Sequence, residues 1–130
     1  MEWRMPAQAE SVPRLRHAAL RFFRERCAPD DDVEQGVAIA VSEACTNVVR
    51  HAYPHESGEV YVEAALRSDD VLLIVIEDRG VGVLEPSSDP GGGFGLHLMA
   101  TLGDLRVRSD GRGTRVELRF HCQQAPASTA

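Results

Sequence analysis

Two hydrophobic periods alternate along the chain and divide it into elements. Trp3 to Ala7 reads as a short edge strand. Ser11-Val-Pro13 then marks a helix start, with proline in the first turn, where its missing N–H costs nothing. Leu15, Ala19, Phe22 and Phe23 give this helix an apolar face, and the intervening arginines give it a wet one. Pro29 and Asp30-Asp31-Asp32 stop it and open the next, because acids at a helix start complement the dipole. No calcium loop of the Asp-x-Asp-x-Asp-Gly kind follows them. The second helix is expected over about Val33 to Ala52. Val37, Val41, Ala44 and Val48 fall at i, i+4, i+7 and i+11 and form a buried stripe, and Tyr53-Pro54 ends it.

The period then shortens to two. Glu59 to Arg67 alternates, with Val60, Val62, Ala64 and Leu66 on one face, which predicts a half-buried strand. After a turn at Ser68-Asp-Asp70, Val71 to Ile76 is apolar at every position, so this strand is expected in the centre, buried on both faces. A glycine-rich segment, a short helix around Leu96 to Leu102 and a hairpin close the chain. The hairpin strands are Leu105–Ser109 and Thr114–Phe120, turned by Asp110-Gly-Arg-Gly113. The element order predicts an α+β two-layer sandwich: a mixed, mostly antiparallel sheet with helices on one face. Residues 1–120 form the single domain in this reading, and 121–130 a flexible tail.

Composition narrows the function. The net charge is -6, and all 14 basic residues are arginine. An acidic chain lacks the cationic surface that binding a nucleic acid requires, so no nucleic-acid partner is expected. The apolar run Val71–Ile76 is too short to span a bilayer, and the first residues do not read as a signal peptide. Cys27, Cys45 and Cys122 are odd in number without CxxC spacing, which fits a reducing cytoplasm better than a disulfide framework or a zinc site. His51 and His55 are four apart, but Pro54 breaks the helical spacing that a metal pair needs.

Candidate chemistry sits on separate elements. Glu43, Asn47 and Arg50 project from one side of the second helix, roughly opposite the valine stripe. Asn47 is mildly unfavourable within a helix, and its carbonyl oxygen suits a hard cation such as magnesium. Glu43, one turn earlier, is placed to take a proton from a hydroxyl or water; the alternative is a solvated helix face. The buried strand ends in Glu77-Asp78, followed at once by Arg79-Gly80-Val81-Gly82. A carboxylate there can accept from an exocyclic amine such as that of adenine, and the glycines admit a flat ring; the alternative is a plain turn. Gly91-Gly-Gly-Phe-Gly95 opens onto Leu96, where free backbone N–H groups at a helix start suit phosphate; the alternative is a glycine-rich loop. Thr114 offers a hydroxyl at the start of the last strand, or is merely a good strand former.

The stretches Ser42-Glu-Ala-Cys-Thr-Asn-Val-Val-Arg-His-Ala-Tyr53, Asp78-Arg-Gly-Val-Gly82, Gly93-Phe-Gly95-Leu and Gly113-Thr-Arg-Val together resemble the GHKL ATPase/kinase superfamily. The first of them is similar to its anti-sigma-factor serine kinase branch. The resemblance implies a histidine-kinase-like ATPase (Bergerat) fold, with ATP held between the sheet-borne turn and the long helix. It implies Glu43 as the general base that activates a substrate serine, and Asn47 as the Mg2+ ligand. Asp78 becomes the adenine reader with Gly80 and Gly82 around the ring; Val83 and Arg50 join the ATP contacts. Gly93, Phe94, Gly95 and Leu96 would line the phosphates and Thr114 the adenine pocket. Implied partners are a sigma factor, a STAS-type antagonist phosphorylated on serine, and a second copy of the chain.

The chain departs from the better-known kinases of that branch between Gly82 and Gly95, where Val83 to Phe94 is short and carries no Lys or Arg. A cation there would neutralise charge on the transferred phosphoryl group. Three functions are therefore set against one another. They are a serine kinase, a nucleotide-gated binding regulator with little kinase activity, and the catalytic domain of a two-component histidine kinase. The last needs a helical hairpin bearing the phospho-accepting histidine, for which 130 residues leave no room.

Overall fold

The computed structural model describes residues 1–81 and 103–125. The elements are β1 (Glu2–Pro6), α1 (Ser11–Arg26), α2 (Asp31–Asn47), a π-helical turn (Val48–Ala52), β2 (Glu59–Leu66), β3 (Val71–Asp78), β4 (Asp104–Asp110) and β5 (Gly113–His121). The strands form one sheet in the order β1-β2-β3-β5-β4, which puts β3 in the middle, as its unbroken apolar run requires.

Every pairing among the described strands is antiparallel, so the antiparallel character expected for most of the sheet holds for all of its described part. The hairpin explains this. It folds β5 back between β3 and β4, so that no two strands of like direction become neighbours.

One face of the sheet holds the core. Val60, Val62, Ala64, Leu72, Ile74, Ile76, Val116, Leu118 and Phe120 point to it and meet Leu15, Ala19, Phe22 and Phe23 of α1 and Val37, Ala40, Val41 and Ala44 of α2. The helix-period and strand-period stripes thus bury each other. Each fully buried aliphatic side chain of this set contributes roughly 1.5–3 kcal/mol. α2 begins on Asp30, whose carboxylate accepts from the Val33 N–H at 3.1 Å.

The opposite face differs from expectation. Val71 and Leu73 are only half-buried, yet Val75 is 1% exposed. No helix stands over it among the described residues. In register beside Val75 are Glu63 and Glu117, and the ion pairs Glu77–Arg115 and Glu117–Arg119 cross the same face. Charged residues with long apolar stems thus flank Val75 on this face.

Two boundaries also move. The α-helix stops at Asn47, and the chain completes Val48–Ala52 as a wider π turn before Tyr53. The expected tail holds structure up to Ala125. Cys122 is buried, continuing the alternation of β5, and Cys27 bridges Gln124. The Ala28 N–H donates to Gln123 O at 2.8 Å and the Ala125 N–H to Arg26 O at 2.9 Å. The short helix expected at Leu96–Leu102 lies outside the described residues.

Candidate functional site

The site is assembled where the C-terminal end of β3 meets the hairpin and the end of the second helix. Asp78 is the last residue of β3 and lies opposite Thr114, the second residue of β5. Both are buried, at 8% and 9% exposure, although both are polar. A buried carboxylate is costly unless hydrogen-bonded. Here the Gly80 N–H donates to its Oδ1 at 2.9 Å, and the Thr114 N–H also bonds to it. Burial nevertheless pushes the Asp78 carboxyl above its ordinary range; the two amides pull the other way, and nearby Glu77 adds to the rise. Ser109 Oγ lies 3.3 Å from Thr114 Oγ1, placing a second hydroxyl in the same mouth. A cleft of about 620 Å3 opens along this end of the hairpin and takes in Asp78, Ser109, Gly113 and Thr114.

The turn after Asp78 is held amide by amide. The Arg79 N–H donates to the Tyr53 hydroxyl at 2.9 Å, the Gly80 N–H to Asp78, and the Val81 N–H to Ala52 O at 2.9 Å. The Arg79 side chain leaves in the other direction and stacks over the Tyr61 ring, 4.7 Å from its centroid.

Two glycines are required by this crowding. A Cβ at position 80 would lie 1.9 Å from Ala52 O. At Gly113, with φ +143°, a Cβ would lie 2.1 Å from Asp78 O. Close approach of the helix end by itself requires glycine at position 80.

The helix half of the site is built differently. Glu43 and Asn47 are half-buried on α2, and Arg50 is exposed in the π turn. No ion pair joins Glu43 or Arg50 to another charged side chain among the described residues. Arg16 of α1 donates to Ser42 Oγ at 3.2 Å and so fixes α2 one residue before Glu43. With about 1.5 Å of rise per residue, Glu43 lies roughly 6 Å beyond Asn47 along α2, and the π turn separates both from Ala52. The clasped helix end thus sets how far the two oxygen-bearing side chains stand from Asp78.

Of the expected site residues, Asp78, Gly80 and Thr114 come together in one mouth. Gly82, Val83, Gly93, Phe94, Gly95 and Leu96 lie outside the described residues. Sequence reasoning misses Ser109 and Tyr53 as site residues. Ser109 is detectable, since a two-residue hairpin loop sets it opposite Thr114. Tyr53 stands in the quoted motif, but nothing local shows that its hydroxyl reaches residues 59 and 79.

Comparison with known proteins bears on the family and the fold. The family model described as the histidine kinase-like ATPase domain matches residues 5–120. The chain is 33% identical over 125 residues to a serine-protein kinase RsbW of Bacillus cereus, covering 85% of this chain and 78% of that one. Against RsbW of Bacillus mycoides it is 34% identical over 126 residues, with the same shares. Among solved structures, the RsbU and RsbW domains of Rv1364c from Mycobacterium tuberculosis match with a TM-score of 0.71 at 20% identity, covering 100% of this chain and 34% of that one. The blue-light activated histidine kinase of Erythrobacter litoralis EL346 matches with a TM-score of 0.60 at 28% identity, covering 69% of this chain and 30% of that one. This chain thus spans about a third of those two solved proteins, but more than three quarters of the two kinases. By the reach of the family model and the identity to these kinases, the chain belongs to the histidine kinase-like ATPase domain family.

Proposed function

We propose that the protein is an ATP-dependent serine kinase of the anti-sigma-factor type, which binds a sigma factor and phosphorylates a STAS-type antagonist. The observation that carries the reading is the Asp78 carboxylate, buried at a cleft mouth and held by the Gly80 and Thr114 amides. One oxygen is occupied by Gly80, and the carboxylate keeps acceptor capacity for an exocyclic amine, as an adenine reader needs. The Ser109 and Thr114 hydroxyls beside it can donate or accept at ring nitrogens. Similarity over most of the chain to proteins named serine-protein kinase supports the same reaction.

Magnesium fits the donor set, since Asn47 offers a hard carbonyl oxygen on the half-buried side of α2. Bound with ATP, it would neutralise charge on the phosphates. Glu43, one turn earlier, would accept the proton of the substrate serine hydroxyl as that oxygen bonds to the γ-phosphorus, while the bond from the γ-phosphorus to the β–γ bridging oxygen breaks and ADP leaves. Arg50, Gly82, Val83, Gly93, Phe94, Gly95 and Leu96 complete the ATP contacts in this reading. A homodimer and a cytoplasmic setting belong to it as well; the three free buried cysteines fit a reducing compartment. No helix among the described residues is long and apolar enough to cross a membrane.

Purified protein with magnesium-ATP should place phosphate on serine of a STAS-type antagonist, and Glu43→Gln should abolish it while ATP still binds. Equal labelling by the variant rejects Glu43 as the base. A second reading, a nucleotide-gated binding regulator, is favoured by one observation: Val83 to Phe94 contains no Lys or Arg. ATP that changes partner affinity while no phosphoserine accumulates selects it over the kinase.

A further inference from the structure

Tyr53 stands at the junction of three elements. Its hydroxyl donates to Glu59 O at the start of β2 at 2.6 Å and accepts from the Arg79 N–H at 2.9 Å. Burial raises the phenol above its ordinary range, so it stays protonated and keeps donating. The ring lies so close over Gly58 that a Cβ there would be 2.1 Å from Tyr53 Cε1. The preceding residue contributes the second link, Ala52 O to the Val81 N–H. Consecutive residues at the end of the π turn therefore bind alternate amides of the turn that follows Asp78, with Gly80 between them held by Asp78 itself.

We infer that Tyr53 is a positioning residue for nucleotide recognition: its hydroxyl locks the Asp78–Val81 turn to the end of the helix that carries Glu43 and Asn47. The inference rests on the ATP reading above. The lock fixes the direction of the Asp78 carboxylate and its distance from the helix residues at once. Without the hydroxyl, the Arg79 N–H and Glu59 C=O lose their shared partner, and the turn hangs on Ala52 and Asp78 alone. The ring is still needed to cover Gly58, so removing the oxygen by itself isolates the lock.

The test uses the full chain, with magnesium-ATP and magnesium-GTP as probes, in wild type, Tyr53→Phe and Gly58→Ala. Tyr53→Phe should weaken ATP binding about fivefold, the scale of one hydrogen bond lost from a partly buried pair, and narrow the preference for ATP over GTP. Hydrogen exchange should rise at the Arg79 amide and stay unchanged at Leu72–Ile76 in mid-β3. Gly58→Ala keeps the hydroxyl but displaces the ring, and should reproduce both changes. Unchanged ATP affinity and unchanged Arg79 exchange in Tyr53→Phe would overturn the inference while leaving the ATP site standing. A wild-type chain that fails to bind ATP would overturn the underlying reading, and this inference with it. A loss of affinity accompanied by faster exchange throughout β3 would also count against the lock, since it marks a general loss of stability.

Discussion

The two halves of the site solve opposite problems. On the sheet side, Asp78 and the turn behind it are finished before any ligand arrives: the carboxylate is buried, and the amides of residues 79, 80 and 81 each have a partner. On the helix side, Glu43 and Asn47 stand half-buried and Arg50 exposed, with no ion pair to Glu43 or Arg50 among the described residues. In the kinase proposed above, the sheet half would need this fixity, because reading a ring by hydrogen bonds tolerates little displacement. The helix half would need polar, accessible groups to exchange a proton or hold a cation. The difference predicts that damage to the helix half shows in rate, and damage to the turn half in affinity and stability.

The largest effect should come from Glu43→Gln. Phosphorylation of a STAS-type substrate, followed by phosphoserine mass spectrometry, should fall at least about a hundredfold with ATP affinity unchanged. A matching loss of ATP affinity would erase the contrast between the halves. Next, Gly113→Ala should cost about 2 kcal/mol in urea denaturation, because alanine is strained at φ +143° and its Cβ meets Asp78 O. ATP affinity should fall along with stability, in contrast to Glu43→Gln.

Asp78→Asn sharpens the comparison furthest, since affinity and stability should move in opposite directions. ATP binding, followed by calorimetry, should weaken about tenfold as a charged acceptor becomes neutral. Stability should rise. The carboxyl titrates above its ordinary 3.8 in the folded chain, so the folded state holds a proton that the unfolded state has already released. Wild-type stability therefore falls as pH climbs from the unfolded value through the folded one. The variant lacks this loss. Its melting temperature should exceed wild type at pH 7, and the gap should close below about pH 3.8. The smallest effect should be that of Asp30→Ala, which uncaps α2 far from the clasped end. A stability loss of about 1 kcal/mol is expected, with ATP affinity within twofold of wild type.

Much of this is legible in the sequence because it depends on period. The Val37/Val41/Ala44/Val48 stripe, the continuous run of β3 and the hairpin at residues 110–113 all stand where the pattern puts them. Asp78 and Thr114 can be found because polar residues at the end of a buried strand and the start of its partner stand out. What stays hidden depends on long-range contact. The π turn at Val48–Ala52 has no residue type that marks it, and its last carbonyl is tied to the distant Val81 N–H. Insertion of β5 between β3 and β4 follows from where the hairpin docks. Val75 is buried on a face whose register neighbours, Glu63 and Glu117, have hydropathy that reads as solvent although their stems are apolar. The tie of Cys27 to Gln124 joins segments about a hundred residues apart, which no local signal reports.

The crowding at Gly80 bears on how such proteins age. Its missing side chain makes room for the Ala52 carbonyl, a backbone atom of the same molecule, so the requirement persists whether or not a nucleotide ever binds. Gly113 is held in the same way by Asp78 O. A descendant that gave up ATP would keep both glycines to go on folding. Asp78, whose buried charge the fold itself is better without, would be free to drift. In such a lineage the glycine pattern would outlive the activity, and the aspartate would be the first letter to go.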